Sequence, residues 1–167
     1  MGLLLLLRHA KAAWASPGMS DFDRPLDATG KLEAEAIGRQ MRDRGFLPDL
    51  VLCSPAVRTR QTLEGLGRLA ESARLLHSGR LYSGDAGDYL DEIRAAGEAS
   101  AVLLVGHNPM MEDVAAALAG DGDGAARHAL ASGFPTGGLA VLHFDDPFAA
   151  IAPGKGRLDA FLRPQRR

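Results

Sequence analysis

Three short apolar runs constrain this chain more than anything else in it: residues 3–7 (LLLLL), 50–53 (LVLC) and 101–105 (AVLLV). A strand with one wet face alternates apolar and polar residues, whereas a strand buried on both faces does not. The runs therefore predict central strands of a mainly parallel sheet with helices on both sides. The segments between them have helical character. A cap at Asp27 or Thr29 opens a helix to about Arg44, with Ile37 and Met41 inward and Gly45 as its stop. A second helix starts at Pro55 and buries Leu63, Leu66 and Leu69; a third covers about 86–96; a fourth starts at Pro109 with Val114 and Leu118 inward. Residues 138–144 read as a later strand and 158–162 as a last edge strand. This alternation predicts a three-layer α/β sandwich with right-handed crossovers. The 167 residues suit one domain over positions 1–167, with 163–167 as a frayed tail. The GDGDG stretch at 120–124 is the most flexible-looking part and lacks the other ligands of an EF-hand loop.

Charge and cysteine usage exclude several function classes. With 19 cations against 21 anions and a pI near 6.2, the chain has no global electrostatic case for nucleic acid. Only Lys11, Lys31 and Lys155 are lysines; the remaining cations are arginines, whose planar fork suits phosphate and carboxylate. A single cysteine, Cys53, rules out an internal disulfide framework, and its place at the end of an apolar run reads as a buried thiol. Leu6 stands where a myristoylation motif needs Ser or Thr, and the N-terminal leucine run has no cationic segment before it. No apolar stretch approaches the roughly 20 residues of a membrane span. The expectation is a cytoplasmic protein without membrane or nucleic-acid partners.

The residues at the carboxyl end of each buried run carry the chemistry. Arg8-His9 come after the first, Ser54-Pro55 with Arg58 shortly beyond come after the second, and Gly106-His107-Asn108-Pro109 end the third. Ligands of open α/β sheets bind outside the carboxyl ends of the strands. Parallel strands would thus bring two arginines and two histidines to one edge. Ser54-Pro55 and Asn108-Pro109 read as an N-cap followed by the first helical residue, and helix N-termini favour anions. Arg58, about one turn into its helix, can reach back to the strand end. Gly106 is expected to permit a sharp backbone turn before His107. Such a site suits a compact, highly charged anion, phosphate above all. Zinc-type histidine spacing, a carboxylate cluster, a nucleoside-triphosphate loop and a serine-hydrolase elbow are all missing from the sequence. The nucleophile is then a side chain, and a neutral histidine can carry a phosphoryl group.

These residues resemble the histidine phosphatase superfamily, whose fold is phosphoglycerate mutase-like. Leu-Leu-Arg8-His9-Ala10 is similar to its R-H-G signature, with Ala10 in place of glycine. Ser54 to Thr62 (SPAVRTRQT) is similar to its S-P-x-x-R-x-x-Q-T block, and VGHNP at 105–109 to its third. Asp23-Arg24-Pro25-Leu26 followed by Gly30 looks like the R-P-L block of short bacterial phosphohistidine phosphatases of the SixA type, and PTGGLA at 135–140 continues the likeness. The resemblance implies that His9 is phosphorylated, that Arg8, Arg58 and His107 bind the phosphoryl oxygens, and that neither metal nor cofactor is needed. It implies a phosphate-bearing substrate, foremost a histidine-phosphorylated protein.

Other positions keep two readings. Arg24 binds phosphate at the rim or pairs with Asp21 or Asp23, and Asn108 is a further candidate for binding substrate. A general acid has no clear counterpart; Asp85 is the first candidate and Asp23 the second. Phosphohistidine needs such an acid less than an alkyl ester does, because a protonatable imidazole leaves readily. Trp14 and Met19 form either a lip facing substrate or ordinary packing, with packing preferred. Ser54 is read as a cap, Arg60 as a surface residue, and His77, His128 and His143 as structural or exposed. The competing functions are a phosphatase for small phosphate esters and a non-catalytic module that binds phosphate or phosphoproteins.

Overall fold

A computed structural model describes residues 2–165. Seven strands form one sheet: β1 (Gly2–Arg8), β2 (Leu50–Cys53), β3 (Arg74–His77), β4 (Ala101–Gly106), β5 (Ala119–Gly122), β6 (Leu139–Phe144) and β7 (Gly156–Leu162). Their spatial order is β3-β2-β4-β1-β6-β7-β5. β6 alone runs against the others, so the sheet is mainly parallel, as the unalternating runs require.

The leucine run shows why no alternation was needed. Leu5 and Leu7 of β1 pack with Val51, Cys53, Leu103 and Val105 against Ile37 and Met41 of α1 (Ala28–Arg44). Leu4 and Leu6 point the other way. They meet Leu81 of α3 (Arg80–Ser83), Tyr89 and Ile93 of α4 (Ala86–Arg94) and Val114 and Leu118 of α5 (Met110–Leu118). Leu4 to Leu7 have no exposed surface at all. Burying one such side chain contributes about 1.5–3 kcal/mol, so this strand anchors both layers.

Helix ends mostly follow local chemistry. Asp27 caps α1 by accepting the Gly30 N–H at 2.7 Å, and Gly45 closes it with φ at 72°, a left-handed conformation that glycine tolerates. α2 (Val57–Gly65) departs from expectation. It begins two residues after Pro55 and has no side-chain cap, because the capping position is Ala56, while Ser54 Oγ pairs with His107. Arg58 is accordingly the second residue of its helix. α5 begins at Met110 with Pro109 at the capping position, not inside the helix. Leu66 and Leu69 are buried as expected but lie beyond α2, Leu66 at its C-cap and Leu69 in the 3-10 helix that follows, and Leu63 is only half-buried.

The far edge of the sheet differs most. Residues 156–162 form a strand, but it is not the edge, because β5 pairs outside it. β5 comes from the GDGDG stretch, whose Asp123 then caps α6 (Gly124–Ala131). The expected frayed tail is held as far as it is described: Gln40 donates to the Arg163 carbonyl and accepts the Gln165 N–H. Residues 166 and 167 lie outside the described residues. Among those described, no helix is long and apolar enough to cross a membrane.

Candidate active site

The carboxyl ends of β1, β2 and β4 and the start of antiparallel β6 meet at one edge. Backbone bonds stitch them together. Arg8 N–H donates to the Gly138 carbonyl and His9 N–H to that of Gly106, at 3.1 and 3.0 Å. Thr62 Oγ1 accepts the Ala10 N–H and donates to the Arg58 carbonyl, so α2 is tied directly beside His9. Gln61 Oε1 accepts the Leu26 N–H and ties in the loop between β1 and α1.

Gly106 has a reason other than the expected turn. Its φ is not in the left-handed range, but a Cβ there would lie 2.8 Å from the Tyr89 hydroxyl. That hydroxyl accepts the His107 N–H at 3.0 Å and donates to the Leu81 carbonyl at 2.6 Å. Gly106 therefore admits the phenol that fixes the backbone of His107.

The side chains converge on a cleft of about 560 Å³. Arg8, Lys11, Arg24 and Arg58 bring four cations to its lining, against one carboxylate, Asp21; His9, Tyr82, His107 and Asn108 line it too. His9 Nδ1 lies 2.7 Å from the Ala10 carbonyl oxygen. That oxygen can only accept, so Nδ1 carries the proton and Nε2 keeps its lone pair. Burial first, then the nearby guanidinium groups, hold His9 down at about 4, so the ring is neutral at neutral pH. His107, beside it with ring centroids 5.3 Å apart, is held down at about 3 by burial, then by His9 and Arg58. Its Nε2 lies 2.8 Å from Ser54 Oγ.

Asp21 ties two of the cleft's four cations together. Its Oδ1 accepts from Arg24 Nη1 at 3.0 Å, and its Oδ2 accepts from Arg58 Nη2 at 3.1 Å and the Tyr82 hydroxyl at 2.9 Å. Burial alone would raise the carboxyl, but these bonds outweigh it and hold it down at about 2. Three buried nitrogens of the lining, Arg8 Nε, Arg58 Nε and His107 Nδ1, have no protein partner. Unmade hydrogen bonds cost about 1–3 kcal/mol each, and an anion in the cleft would supply acceptors.

Six of the residues singled out in the sequence thus line one cleft: Arg8, His9, Arg24, Arg58, His107 and Asn108. Arg24 pairs with Asp21, the second of its two readings, and it also lines the cleft. Asn108 has its amide engaged, with Nδ2 donating to the Phe134 carbonyl and Oδ1 accepting the Glu112 N–H. That same Phe134 carbonyl accepts from Arg8 Nη1, so Asn108 and Arg8 share an anchor. Asp85 is not in the lining. It is an exposed cap of α4, in a reciprocal pair of bonds with Asp88. Asp23 is likewise outside, accepting from Ser20. Ser54 binds His107 more closely than it binds the backbone, and Trp14 is 90% exposed instead of packed. Cys53 is buried, and burial pushes its thiol up to about 12.

Asp21 and Tyr82 were not singled out as site residues. The only sequence signal for Asp21 is its place three residues before Arg24; Tyr82 has none, since it arrives from 61 positions away. Among the described residues, no group of three or more His, Cys, Asp or Glu is placed to hold a metal ion.

Comparison with known proteins identifies the family and the fold. The model of the histidine phosphatase superfamily (branch 1) matches residues 4–89. A solved candidate phosphohistidine phosphatase SixA from Agrobacterium tumefaciens is 42% identical, with a TM-score of 0.84 over 98% of each chain. Another, from Nakamurella multipartitia, is 33% identical with a TM-score of 0.87, over 99% of this chain and 97% of that one. An uncharacterized protein of Mycobacterium tuberculosis is 37% identical over 95% of this chain and 100% of its own length. With its phosphoglycerate mutase-like α/β fold, the chain belongs to the histidine phosphatase superfamily.

Proposed function

We propose that this protein is a metal-independent phosphatase that passes the phosphoryl group through His9, with phosphohistidine in proteins as its substrate. One observation carries the reading: a histidine with Nδ1 committed to a carbonyl, and so with Nε2 free, in a cleft where cations outnumber carboxylates four to one. In the first step Nε2 attacks phosphorus. The Nε2–P bond forms and the substrate's P–N bond breaks; the leaving imidazole, already protonated from solvent on its other ring nitrogen, takes the bonding pair onto the released nitrogen and departs neutral. In the second step water attacks phosphorus, the Nε2–P bond breaks and inorganic phosphate leaves. The water's proton passes to phosphate or solvent, and His9 returns to its neutral form. Arg8 and Arg58 balance charge on the oxygens. With the Ser54 hydroxyl donating to Nε2 of His107, its Nδ1 carries a proton and donates to an oxygen as well.

The leaving group follows from the carboxylates. Asp85 is outside the cleft, and Asp21, at about 2, is too strong an acid to hold a proton for an alkoxide at neutral pH. An imidazole needs less help, which favours phosphohistidine over alkyl esters. Trp14, exposed beside the cleft's Arg24 with that guanidinium 5.8 Å from its ring, suits a protein surface more than a metabolite.

The test is phosphate release from a histidine-phosphorylated phosphotransfer domain in EDTA, by wild type and His9→Ala. Release by wild type alone supports the reading. Loss of wild-type release in EDTA would sink metal independence. Hydrolysis confined to small alkyl phosphates would favour an esterase, and phosphate binding without turnover a binding module.

A further inference from the structure

We infer that Asp21 is a positioning residue: it grips one edge of the Arg58 guanidinium and so presents the other edge to the phosphoryl group. The inference rests on the reading of the cleft as a phosphoryl site. A guanidinium has two bidentate edges, one made by Nη1 and Nη2 and one by Nε and Nη2. Arg58 uses the first on a single residue, with Nη1 on the Asp21 carbonyl at 2.8 Å and Nη2 on its Oδ2 at 3.1 Å. The second edge has no protein partner at Nε, which is buried. Arg58 is among the residues that line the cleft. A tetrahedral anion offers two oxygens at the spacing that this edge requires.

Asp21 is itself held. Tyr82 donates to the same Oδ2 and Arg24 to Oδ1. Arg24 Nε donates back to the Ala13 carbonyl, and Ala13 N–H to that of Pro25, which closes the loop on itself. Phe22 packs edge-on against Tyr82, with centroids 5.1 Å apart. Arg58 is nearly buried, at 8% exposure of its side chain, while that of Asp21 is 53% exposed. Water therefore screens the carboxylate's repulsion of a bound anion more than it weakens the grip on Arg58. This balance makes positioning outweigh competition.

Calorimetric titration with inorganic phosphate tests it, on wild type, Asp21→Ala, Asp21→Asn and Asp21→Glu. Circular dichroism melts select variants that remain folded. Asp21→Ala is expected to weaken phosphate about tenfold, an increment typical of one charge-assisted contact. Asp21→Asn is expected to weaken it too, and Asp21→Glu to restore part of the affinity. On the phosphorylated domain the loss appears more in KM than in kcat. In an Arg58→Ala background, Asp21→Ala should have little further effect. Unchanged or tighter phosphate binding by folded Asp21→Ala overturns the inference and makes Asp21 a competitor of the ligand. Wild type that neither binds phosphate nor turns over substrate overturns the reading beneath it instead.

Discussion

Two arginines are ion-paired, Arg58 with one carboxylate and Arg80 with three, and they differ in what is left over. Arg80 donates to Asp88 at 2.6 Å and Asp91 at 3.2 Å and lies 3.8 Å from Glu92, with half its side chain in water. One cation there meets three acids, so the cluster's net negative charge repels an anion. Arg58 shares Asp21 with Arg24 and Tyr82, is nearly buried, and keeps Nε unpartnered. Ion pairing alone does not mark a site. Excess cationic donors in a buried place do, because only a ligand can complete them.

The strongest test of this contrast removes the group that the excess cations serve. His9→Ala should reduce phosphate release at least about a thousandfold, the scale of losing a nucleophile, while phosphate still binds by calorimetry. Next, Arg58→Ala should lower kcat/KM about a hundredfold or more, as for a lost charge-stabilising donor, whereas Arg80→Ala leaves turnover unchanged. Equal losses in the two variants would erase the distinction. Beside Arg24, Trp14→Ala should raise KM for the phosphorylated domain about tenfold and leave p-nitrophenyl phosphate hydrolysis unaffected. A parallel loss on both substrates would place Trp14 in the chemistry, and no loss on either would remove it from recognition.

Acid sensitivity sharpens the comparison further, with a smaller effect. His9 and His107 fall from the ordinary 6.5 to about 4 and about 3 in the folded chain. Between those limits the unfolded chain binds protons that the folded one refuses, so stability is lost as pH drops from about 6.5 toward 4. Bound phosphate raises both histidines and should flatten that decline. Melting temperatures from pH 7 to 4, with and without phosphate, measure it. A decline indifferent to phosphate would locate the acid sensitivity outside the cleft.

Much of this was legible because it is local. The three apolar runs became β1, β2 and β4, and a strand covered on both faces announces itself by lacking alternation. Asp27 and Gly45 bound α1 because a cap and a left-handed stop depend on a few residues. The convergence of Arg8, His9, Arg58 and His107 followed from parallel strands alone. Elements whose stability is nonlocal were missed. β3 is exposed along its length, and β5 is held by β7 across more than thirty positions, so neither has a burial pattern to read. Ser54 has every local mark of a cap, yet a partner 53 residues away claims its hydroxyl. Asp85 is acidic and near the right segment, but capping α4 satisfies it.

The sequence by itself therefore determined the sheet's core and which side chains reach its carboxyl edge, since periodicity and strand direction are properties of short segments. Only the tertiary structure decided how those side chains are aimed. Which edge of Arg58 stays open depends on Asp21, 37 positions away, and the hold on Asp21 depends on Tyr82, 61 positions away. A guanidinium's orientation is set by all its hydrogen bonds at once, and those partners become neighbours only when the chain is folded.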